Sequence, residues 1–128
     1  MIMLREVINV TGAPPAVGPY SHAVRVQGTL HFLSGVIPLK PTGELVVGPI
    51  GLQTQQVFAN IKTILDGLGL TFENVVKVTV FLSSMEHFAE MNEVYATKFT
   101  APYPARSTVA VAGLPRGTDV EIEITAIA

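Results

Sequence analysis

A strand pattern lies between two helical patterns in the middle of the chain, and this order limits the folds available to it. Residues 75–82 read VVKVTVFL, an alternation with period two that is typical of a strand. Its aliphatic face comprises Val76, Val78, Val80 and Leu82. Apolar residues recur at helical spacing before this strand, in residues 52–68, and after it, in residues 84–99. A helix, a strand and a helix in succession favour an α+β fold in which the helices cover one face of a sheet.

Both predicted helices carry capping signals. In the first, the apolar stripe comprises Val57, Phe58, Ile61, Ile64, Leu65 and Leu68. Gly69 follows directly and is predicted to cap the C-terminus. In the second, Ser83 and Glu86 have the spacing of a capping box. Its stripe continues through Phe88, Met91, Tyr95 and Phe99.

The remaining strand patterns lie on both sides of this central region. They span residues 4–9, 22–27, 30–35, 107–113 and 119–128. Gly28 and Thr29 separate the second of these from the third and predict a tight hairpin. The predicted order is therefore βββαβαββ, which gives a two-layer α+β sandwich with a mixed sheet and two helices on one face.

Few charges are available to cover the second face of that sheet. The chain has 128 residues, which fits a single domain over 1–128, and only 14% of them are charged. An average soluble domain has ~25% charged residues. No segment approaches the ~18 uninterrupted apolar residues of a membrane-spanning helix, so no membrane partner is expected. We therefore expect other copies of the chain to cover this face, with polar residues on it lying in clefts between subunits.

Charge and cysteine content narrow the range of partners. The net charge is -2 and the basic residues are scattered, so nucleic acid is not an expected partner and small molecules are. The sequence contains no cysteine. This excludes a disulfide framework and a thiol nucleophile, and it favours a cytoplasmic location.

The final strand pattern presents two acids on one face. Glu121 and Glu123 alternate with aliphatic residues, so both carboxylates project from the same side, ~7 Å apart. Such a pair is suited to acid–base chemistry. The alternative is that both are solvated or paired with cations. In a chain with so few charges, two acids on a covered surface favour a functional role for one of them.

One arginine stands at the entrance of an apolar strand. Arg106 follows Pro102 and Pro104 in PYPARSTVAVAG, and a stiff loop-to-strand junction of this kind suits anion recognition. The functional interpretation is a bidentate clamp on a ligand carboxylate, and the alternative is a surface salt bridge. Tyr20, in GPYSHA, either lines a ligand pocket with its hydroxyl or lies at the edge of the core.

Other catalytic patterns are missing from the sequence. The serines lack the G-x-S-x-G motif, and no G-x-G-x-x-G or Walker motif indicates nucleotide binding. The histidines show no metal-ligand spacing, so no metal site is predicted. His87, in the first turn of the second helix, is expected to be solvated.

Taken together, these segments resemble the reactive intermediate deaminase family, also called RidA/YjgF. The resemblance runs in order through APPAVGPYSHAV, LSGVIPLKPTGEL, QTQQVFANIKTIL, VVKVTVFL, FAEMNEVYATKF, PARSTVAVAGLP and VEIEITAIA. It implies a chorismate-mutase-like fold, assembled as a homotrimer whose three sheets form a central barrel with active sites between subunits. The implied activity is hydrolysis of reactive enamines and imines, such as 2-aminoacrylate and 2-aminocrotonate, to 2-keto acids and ammonia, without a cofactor.

The resemblance also implies roles for individual residues. Arg106 matches the arginine that holds the substrate carboxylate, Glu121 the glutamate that positions the attacking water, and Tyr20 a pocket tyrosine. Further substrate-binding positions correspond to Ser34, Gly35, Val36, Asn92 and Thr108. Val36 stands where glutamine is usual in the family, and Thr108 where many members carry cysteine.

Other functions remain compatible with the sequence. One is a non-catalytic binding module for 2-keto acids or other short carboxylic acids that uses the same Arg106 cleft. A second is a pathway-specific relative with another imine substrate. RNA cleavage, known in some animal relatives, is disfavoured by the dispersed charge. A chaperone role has no sequence signature.

Overall fold

The computed structural model describes residues 4–128 and divides their strands between two sheets. Strands β1 (Leu4–Ile8) and β2 (Ala23–Gln27) form an antiparallel pair. The larger sheet has the order β3-β6-β4-β5 and comprises β3 (Leu30–Phe32), β4 (Val75–Leu82), β5 (Ala105–Ala110) and β6 (Val120–Ile127). Only β4 and β5 are parallel among its pairs, so this sheet is mixed, as predicted. The helices are α1 (Ile50–Leu68) and α2 (Phe88–Ala96), and short 3-10 turns span Phe72–Asn74, Met85–His87 and Pro115–Gly117.

Helix α1 forms where the sequence predicts it and begins two residues earlier. Its buried apolar stripe comprises Val57, Phe58, Ile61 and Leu65, as expected. Ile64 and Leu68, at the margin of the stripe, remain 40% and 44% exposed. Gly69 adopts a φ of 74°, and its N–H donates to the Asp66 carbonyl at 3.1 Å. The predicted C-terminal cap is therefore confirmed.

Strand β4 has the predicted bounds, but one residue of its core face was assigned wrongly. Its pairing register with β6 shifts between Val75 and Lys77. As a result Val75 belongs to the core cluster, in the place that strict alternation gave to Val76. A β-bulge adds one residue to a strand and reverses the alternation from that point, which a period-two pattern cannot reveal.

Strands β2 and β3 do not form the predicted hairpin. Strand β2 pairs with β1, whereas β3 pairs with the C-terminal strand β6. The N–H of Thr29 donates to the Ala128 carbonyl at 2.8 Å, and the Ala128 N–H donates back at 2.9 Å. Gly28 permits this approach, because a Cβ there would lie 2.5 Å from the Ala128 carbonyl oxygen. The prediction is wrong because Gly28 and Thr29 direct the chain towards its C-terminus instead of closing a two-residue turn.

Helix α2 is shorter than predicted at both ends. The 3-10 turn Met85–His87 precedes it, and Ser84 caps this turn by accepting the Glu86 N–H at 3.1 Å. Ser83 instead donates its hydroxyl to Asp119 at 2.7 Å. The predicted capping box of Ser83 and Glu86 is therefore wrong, since the neighbouring serine takes the capping position.

The pairing register gives the larger sheet two different faces. On the helix-facing side, residues such as Val80 and Ile122 join the core cluster with α1 and α2. The opposite side, which we call the open face, carries Lys77, Thr79, Phe81, Ser107, Val109, Glu121 and Glu123. Phe32 is 76% exposed on the same face, beside Thr125. Coverage of the open face by other copies of the chain stays a prediction.

A search of residues 4–128 for a helix long and apolar enough to cross a membrane found none.

Candidate active site

Arg106 is the second residue of β5, at an edge of the larger sheet. A distant segment of the chain is held beside it by backbone contacts. Ser21 forms a parallel bridge with Ala105, and its N–H donates to the Pro104 carbonyl at 3.3 Å. These contacts bring Tyr20 next to Arg106.

Three aromatic rings surround the Arg106 guanidinium. Its central carbon Cζ lies 4.7 Å from the ring centroid of Tyr95, 5.6 Å from that of Tyr20 and 5.7 Å from that of Phe88. Nη1 donates to Asn92 Oδ1 at 2.6 Å. Phe88, Asn92 and Tyr95 lie on one face of α2, so a single helix supplies three of the four contacts. We call these five residues the Arg106 cluster.

The Arg106 cluster combines a half-buried cation with a fully buried phenol. Burial lowers the pKa of the Arg106 guanidinium, while the neighbouring tyrosines act in the opposite direction. Burial raises the pKa of the Tyr95 phenol, so its hydroxyl stays protonated. Within residues 4–128 no carboxylate forms an ion pair with Arg106. A half-buried guanidinium stays charged, and without an anionic partner its free N–H donors are available to a ligand.

Two buried hydroxyls beside Arg106 lack hydrogen-bond partners among the described residues. They are Tyr95 Oη, on the helix above the guanidinium, and Thr108 Oγ1, two residues further along the same side of β5. Buried polar atoms are normally paired with protein or with ordered water. Both hydroxyls are therefore available to form hydrogen bonds with a ligand or with water near Arg106.

Glu121 has a different environment, on the open face. The segment that contains Gly35 runs beside it, because Val36 and Ile122 exchange backbone hydrogen bonds of 2.8 and 3.0 Å. A Cβ at Gly35 would lie 2.8 Å from the Glu121 carboxyl carbon and 3.1 Å from both oxygens. Only glycine therefore leaves this carboxylate in place. We call Gly35 and Glu121 the Glu121 cluster. Val36 pairs with Ile122 and packs against the core, so its side chain lies on the opposite face from Glu121.

Clefts adjoin both clusters. One of about 530 Å³ is lined by Ser34, Gly35 and Val36 together with His31, Phe32, Leu33, Ile64 and Leu68. A second, of about 570 Å³, is lined by Tyr20, His22 and Tyr103 and by the loop after β1. A third, of about 650 Å³, lies beside Arg5, Phe72 and Lys98 and contains none of the site residues predicted from the sequence.

The pairing register places the two clusters on opposite faces of one sheet. Arg106 pairs with Val78, whose side chain joins the core, and Glu121 pairs with Phe81 on the open face. Paired residues share a face and successive residues alternate, so Arg106 and Glu121 of one chain do not face a common space. The structure thus brings Tyr20 and Asn92 to Arg106 on one side of the sheet. It places Gly35 beside Glu121 on the other side.

Sequence reasoning missed Phe88 and Tyr95 as part of the site. Both were assigned to the helix stripe that packs on the core, and Tyr95 is indeed fully buried. The available signal was the spacing of Phe88, Asn92 and Tyr95, at i, i+4 and i+7, which places a polar side chain between two rings on one helix face. The spacing alone, however, does not show that Arg106 lies against this face of the helix.

Asp119 anchors the start of β6, two residues before Glu121. It accepts hydrogen bonds from Gln53 Nε2 at 2.8 Å and Ser83 Oγ at 2.7 Å, and these bonds hold the pKa of Asp119 below its ordinary value. His87 Nε2 lies 3.8 Å from the same carboxylate, with its side chain 32% exposed. His87, expected to be solvated, is therefore partly exposed and also lies beside Asp119. Within residues 4–128, no three His, Cys, Asp or Glu side chains are grouped as metal ligands would be.

Comparison with known proteins gives a consistent family. Protein DfrA of Myxococcus xanthus is 48% identical over 127 residues, which are 98% of this chain and 97% of that protein. The 2-iminobutanoate/2-iminopropanoate deaminase of Mus musculus is 45% identical over 126 residues, 98% of this chain and 93% of that protein. Among solved structures, YyfB of Yersinia pestis, described as a protein of unknown function of the conserved Rid family, has a TM-score of 0.87 at 32% identity, with 97% of this chain and 98% of that chain covered.

The family model described as Endoribonuclease L-PSP matches residues 10–128. The resemblance seen in the sequence is thereby confirmed, and the chain belongs to the Endoribonuclease L-PSP family, also known as RidA/YjgF.

Proposed function

We propose that the protein hydrolyses reactive enamines and imines of the 2-aminoacrylate and 2-aminocrotonate type to 2-keto acids and ammonia, without a cofactor. One observation carries this proposal: the half-buried Arg106 guanidinium is held by three rings and Asn92 but has no carboxylate partner within residues 4–128. Such a group suits a small carboxylic acid. The names of relatives from mouse and human, both 2-iminobutanoate/2-iminopropanoate deaminases, support the reaction.

Arg106 binds the substrate carboxylate in this proposal. One N–H is donated to Asn92, and the remaining edge of the guanidinium can donate two parallel hydrogen bonds to the carboxylate oxygens. The rings of Tyr20, Phe88 and Tyr95 fix the guanidinium plane before the ligand arrives. A pre-ordered clamp of this kind reduces the entropy lost on binding and sets the distance from the carboxylate to the reacting carbon.

Glu121 accepts a proton from the attacking water in this proposal. The enamine first takes up a proton at its terminal carbon and becomes an iminium ion, whose C=N carbon is electrophilic. Glu121 accepts a proton from a water molecule as the water oxygen bonds to that carbon, which gives a carbinolamine. Return of this proton to nitrogen lets the C–N bond break, so that ammonia leaves. The hydroxyl gives its proton to Glu121 as the carbonyl of the 2-keto acid forms, and Glu121 then releases it to solvent. General acid–base assistance of this kind typically contributes ~10²- to 10⁴-fold.

The two clusters act together only if they come from different chains. Arg106 and Glu121 lie on opposite faces of the sheet within one chain. The open face that carries Glu121 also exposes Phe32 and Val109, which suits contact with another copy. We therefore place the reaction in a homotrimer, with Arg106 of one subunit and Glu121 of its neighbour around each substrate.

The test is to add the purified protein to a pyridoxal-phosphate-dependent threonine dehydratase that releases 2-aminocrotonate. We expect faster appearance of 2-ketobutyrate with the protein and no acceleration with Arg106→Ala. Absence of acceleration with either 2-aminocrotonate or 2-aminoacrylate would overturn the proposal. If the protein then bound 2-ketobutyrate saturably, it would be a binding module. If it instead bound and cleaved RNA with a steep salt dependence, the family's ribonuclease name would describe it better.

A further inference from the structure

Both ring nitrogens of His22 are committed to the loop that follows β1. Nδ1 accepts the backbone N–H of Val10 at 2.9 Å, and Nε2 lies 2.6 Å from the Pro14 carbonyl oxygen. The backbone N–H of His22 donates to Asn9 Oδ1 at 3.2 Å. One residue thus joins both ends of the loop segment 9–14 to the start of β2.

This pattern requires a neutral imidazole of one tautomer. A backbone N–H can only donate, so Nδ1 carries no proton, and a carbonyl can only accept, so Nε2 carries one. Protonation would add an N–H at Nδ1, so that both ring nitrogens carry one. The new N–H would be directed at the N–H of Val10. The bond to Val10 would then be lost and replaced by a repulsive contact between two donors.

The loop held by His22 continues into the Arg106 cluster. The Val17 N–H lies within 3.4 Å of the Tyr20 hydroxyl, and the Tyr20 N–H donates to the Gly18 carbonyl at 2.8 Å. His22 and Tyr20 line the same cleft. This loop supplies one ring of the Arg106 cluster, that of Tyr20. The other two rings lie on α2.

We propose that His22 is a positioning residue for carboxylate binding. Its neutral imidazole holds the loop after β1, and through it holds Tyr20 against Arg106. Protonation of the imidazole releases the loop and weakens the clamp. This inference rests on the proposed function for its physiological meaning, because it concerns the same carboxylate site.

The ionisable groups around His22 include two tyrosines and one ion pair. Tyr20 and Tyr103 line its cleft. Glu6 and Arg25, on the strands of the same hairpin, pair with each other at 2.9 Å. Within residues 4–128 no charged side chain bonds to the His22 ring. Imidazole is the side-chain type whose charge ordinarily changes within the physiological range of pH.

The experiment compares wild type with His22→Gln and His22→Ala. A glutamine amide offers one acceptor and one donor, as the neutral imidazole does, but it does not titrate. The measurement is the Kd for 2-ketobutyrate between pH 5.5 and 8.0, because this acid stays ionised throughout the range. We expect the wild-type Kd to rise about 3- to 10-fold towards pH 5.5, the size of one lost hydrogen bond. His22→Gln should keep the pH 8.0 affinity at every pH, and His22→Ala should bind weakly at every pH.

Two further measurements separate this inference from the proposed function. Nitrogen-15 NMR of wild type at pH 8.0 should show His22 protonated on Nε2 alone, and the Tyr20 ring resonances should shift with the same pH midpoint as His22 in wild type but not in His22→Gln. If both hold while no imine is hydrolysed, only the proposed function falls. A His22→Gln variant with the wild-type pH dependence of Kd or of the Tyr20 resonances would overturn the inference, as would the opposite tautomer.

Discussion

The Arg106 cluster and the Glu121 cluster differ in how much of their geometry one chain supplies. Around Arg106 on its edge strand, a helix and a loop of the same chain contribute three rings and an amide oxygen within contact distance. Around Glu121, the same chain contributes the backbone of Gly35, which also lines an open, largely apolar cleft. The first cluster is organised in advance, whereas the second presents its carboxylate on the face opposite the helices of residues 4–128.

This difference matches the two roles in the proposed reaction, which are substrate binding at the Arg106 cluster and water activation at the Glu121 cluster. A binding group gains from being fixed before the ligand arrives, because ordering it afterwards reduces affinity. In the proposed reaction, the group that activates water must stand where the reacting carbon will be, and the proposed homotrimer supplies that position from a second subunit. The following predictions treat the clusters separately, so that each can fail alone.

Removal of the clamp is expected to have the largest effect. Arg106→Ala should lower kcat/KM by about 10³-fold, since truncating one partner of a buried charge pair costs ~2–5 kcal/mol. Arg106→Lys should recover only part of this loss, because an ammonium cannot form the parallel pair of bonds. Steady-state kinetics and 2-ketobutyrate titrations provide the measurement. Arg25→Ala, which removes an exposed pair with Glu6, is the matched control and should leave both quantities unchanged. A wild-type Kd in Arg106→Ala would disprove the clamp.

Glu121→Gln tests the second cluster without disturbing the first. We expect kcat to fall by at least ~10²-fold, because the amide cannot accept a proton from water. The Kd for 2-ketobutyrate should stay within about twofold of wild type, since Arg106 is untouched. Glu123→Gln, on the same strand and face, is the control and should keep full kcat. Equal losses in the two glutamine variants would show that Glu121 has no special role.

Gly35→Ala should shift the Glu121 carboxylate without removing it. The added Cβ would lie 2.8 Å from the Glu121 carboxyl carbon, so the side chain must move. Misplacement by about 1 Å can cost as much as ~10²-fold, and we expect a loss in kcat of ~10- to 100-fold. Gly113→Ala, where a Cβ would meet nothing within 4 Å, should change neither kcat nor thermal stability. Full activity in Gly35→Ala would mean that the carboxylate position is not critical.

The smallest expected effect concerns Asp119, which anchors the start of β6 two residues before Glu121. Hydrogen bonds from Gln53 and Ser83 lower the pKa of Asp119 in the folded state. Its contribution to stability is therefore complete above the unfolded aspartate value of ~3.9 and is lost as the pH falls through the lower folded value. Asp119→Ala should reduce the free energy of unfolding by about 1 kcal/mol at pH 7, a low value for bonds to a charged group because the carboxylate is partly exposed.

Urea denaturation at pH 7, 5 and 3 measures this effect. The difference between wild type and Asp119→Ala should be equal at pH 7 and 5 and should shrink at pH 3. Asp66→Ala removes an exposed i,i+4 pair with Lys62 and should cost less, about 0.3–0.5 kcal/mol at pH 7. A difference for Asp119→Ala that grows towards pH 3 would contradict the sign of the pKa shift.

Local patterns in the sequence predicted the elements whose contacts are local or strictly periodic. The stripe of α1, its Gly69 cap, the bounds of β4 and the alternation of Glu121 and Glu123 all follow from spacing, and the structure places them accordingly. Arg106 was singled out because a cation at the start of an apolar strand needs a reason. No pattern, however, shows which ring will lie over a guanidinium.

The errors come from contacts between distant parts of the chain. Thr29 exchanges backbone hydrogen bonds with Ala128, so a hairpin signal was overridden by a distant partner that local propensity does not predict. Ser83 likewise bonds Asp119 instead of capping a helix. The same holds for the site: Ser21 pairs with Ala105, which is distant in sequence, and this pairing brings Tyr20 beside Arg106.

Subunit mixing tests the shared site most directly. Arg106→Ala and Glu121→Gln proteins, each inactive alone, are unfolded together in equal amounts and refolded, and native mass spectrometry verifies that mixed trimers form. If each site takes Arg106 from one subunit and Glu121 from its neighbour, half of the subunits supply each intact group, and about one quarter of wild-type activity should return. If both groups act within one chain, every site lacks one of them. Mixed trimers without activity would therefore contradict the account.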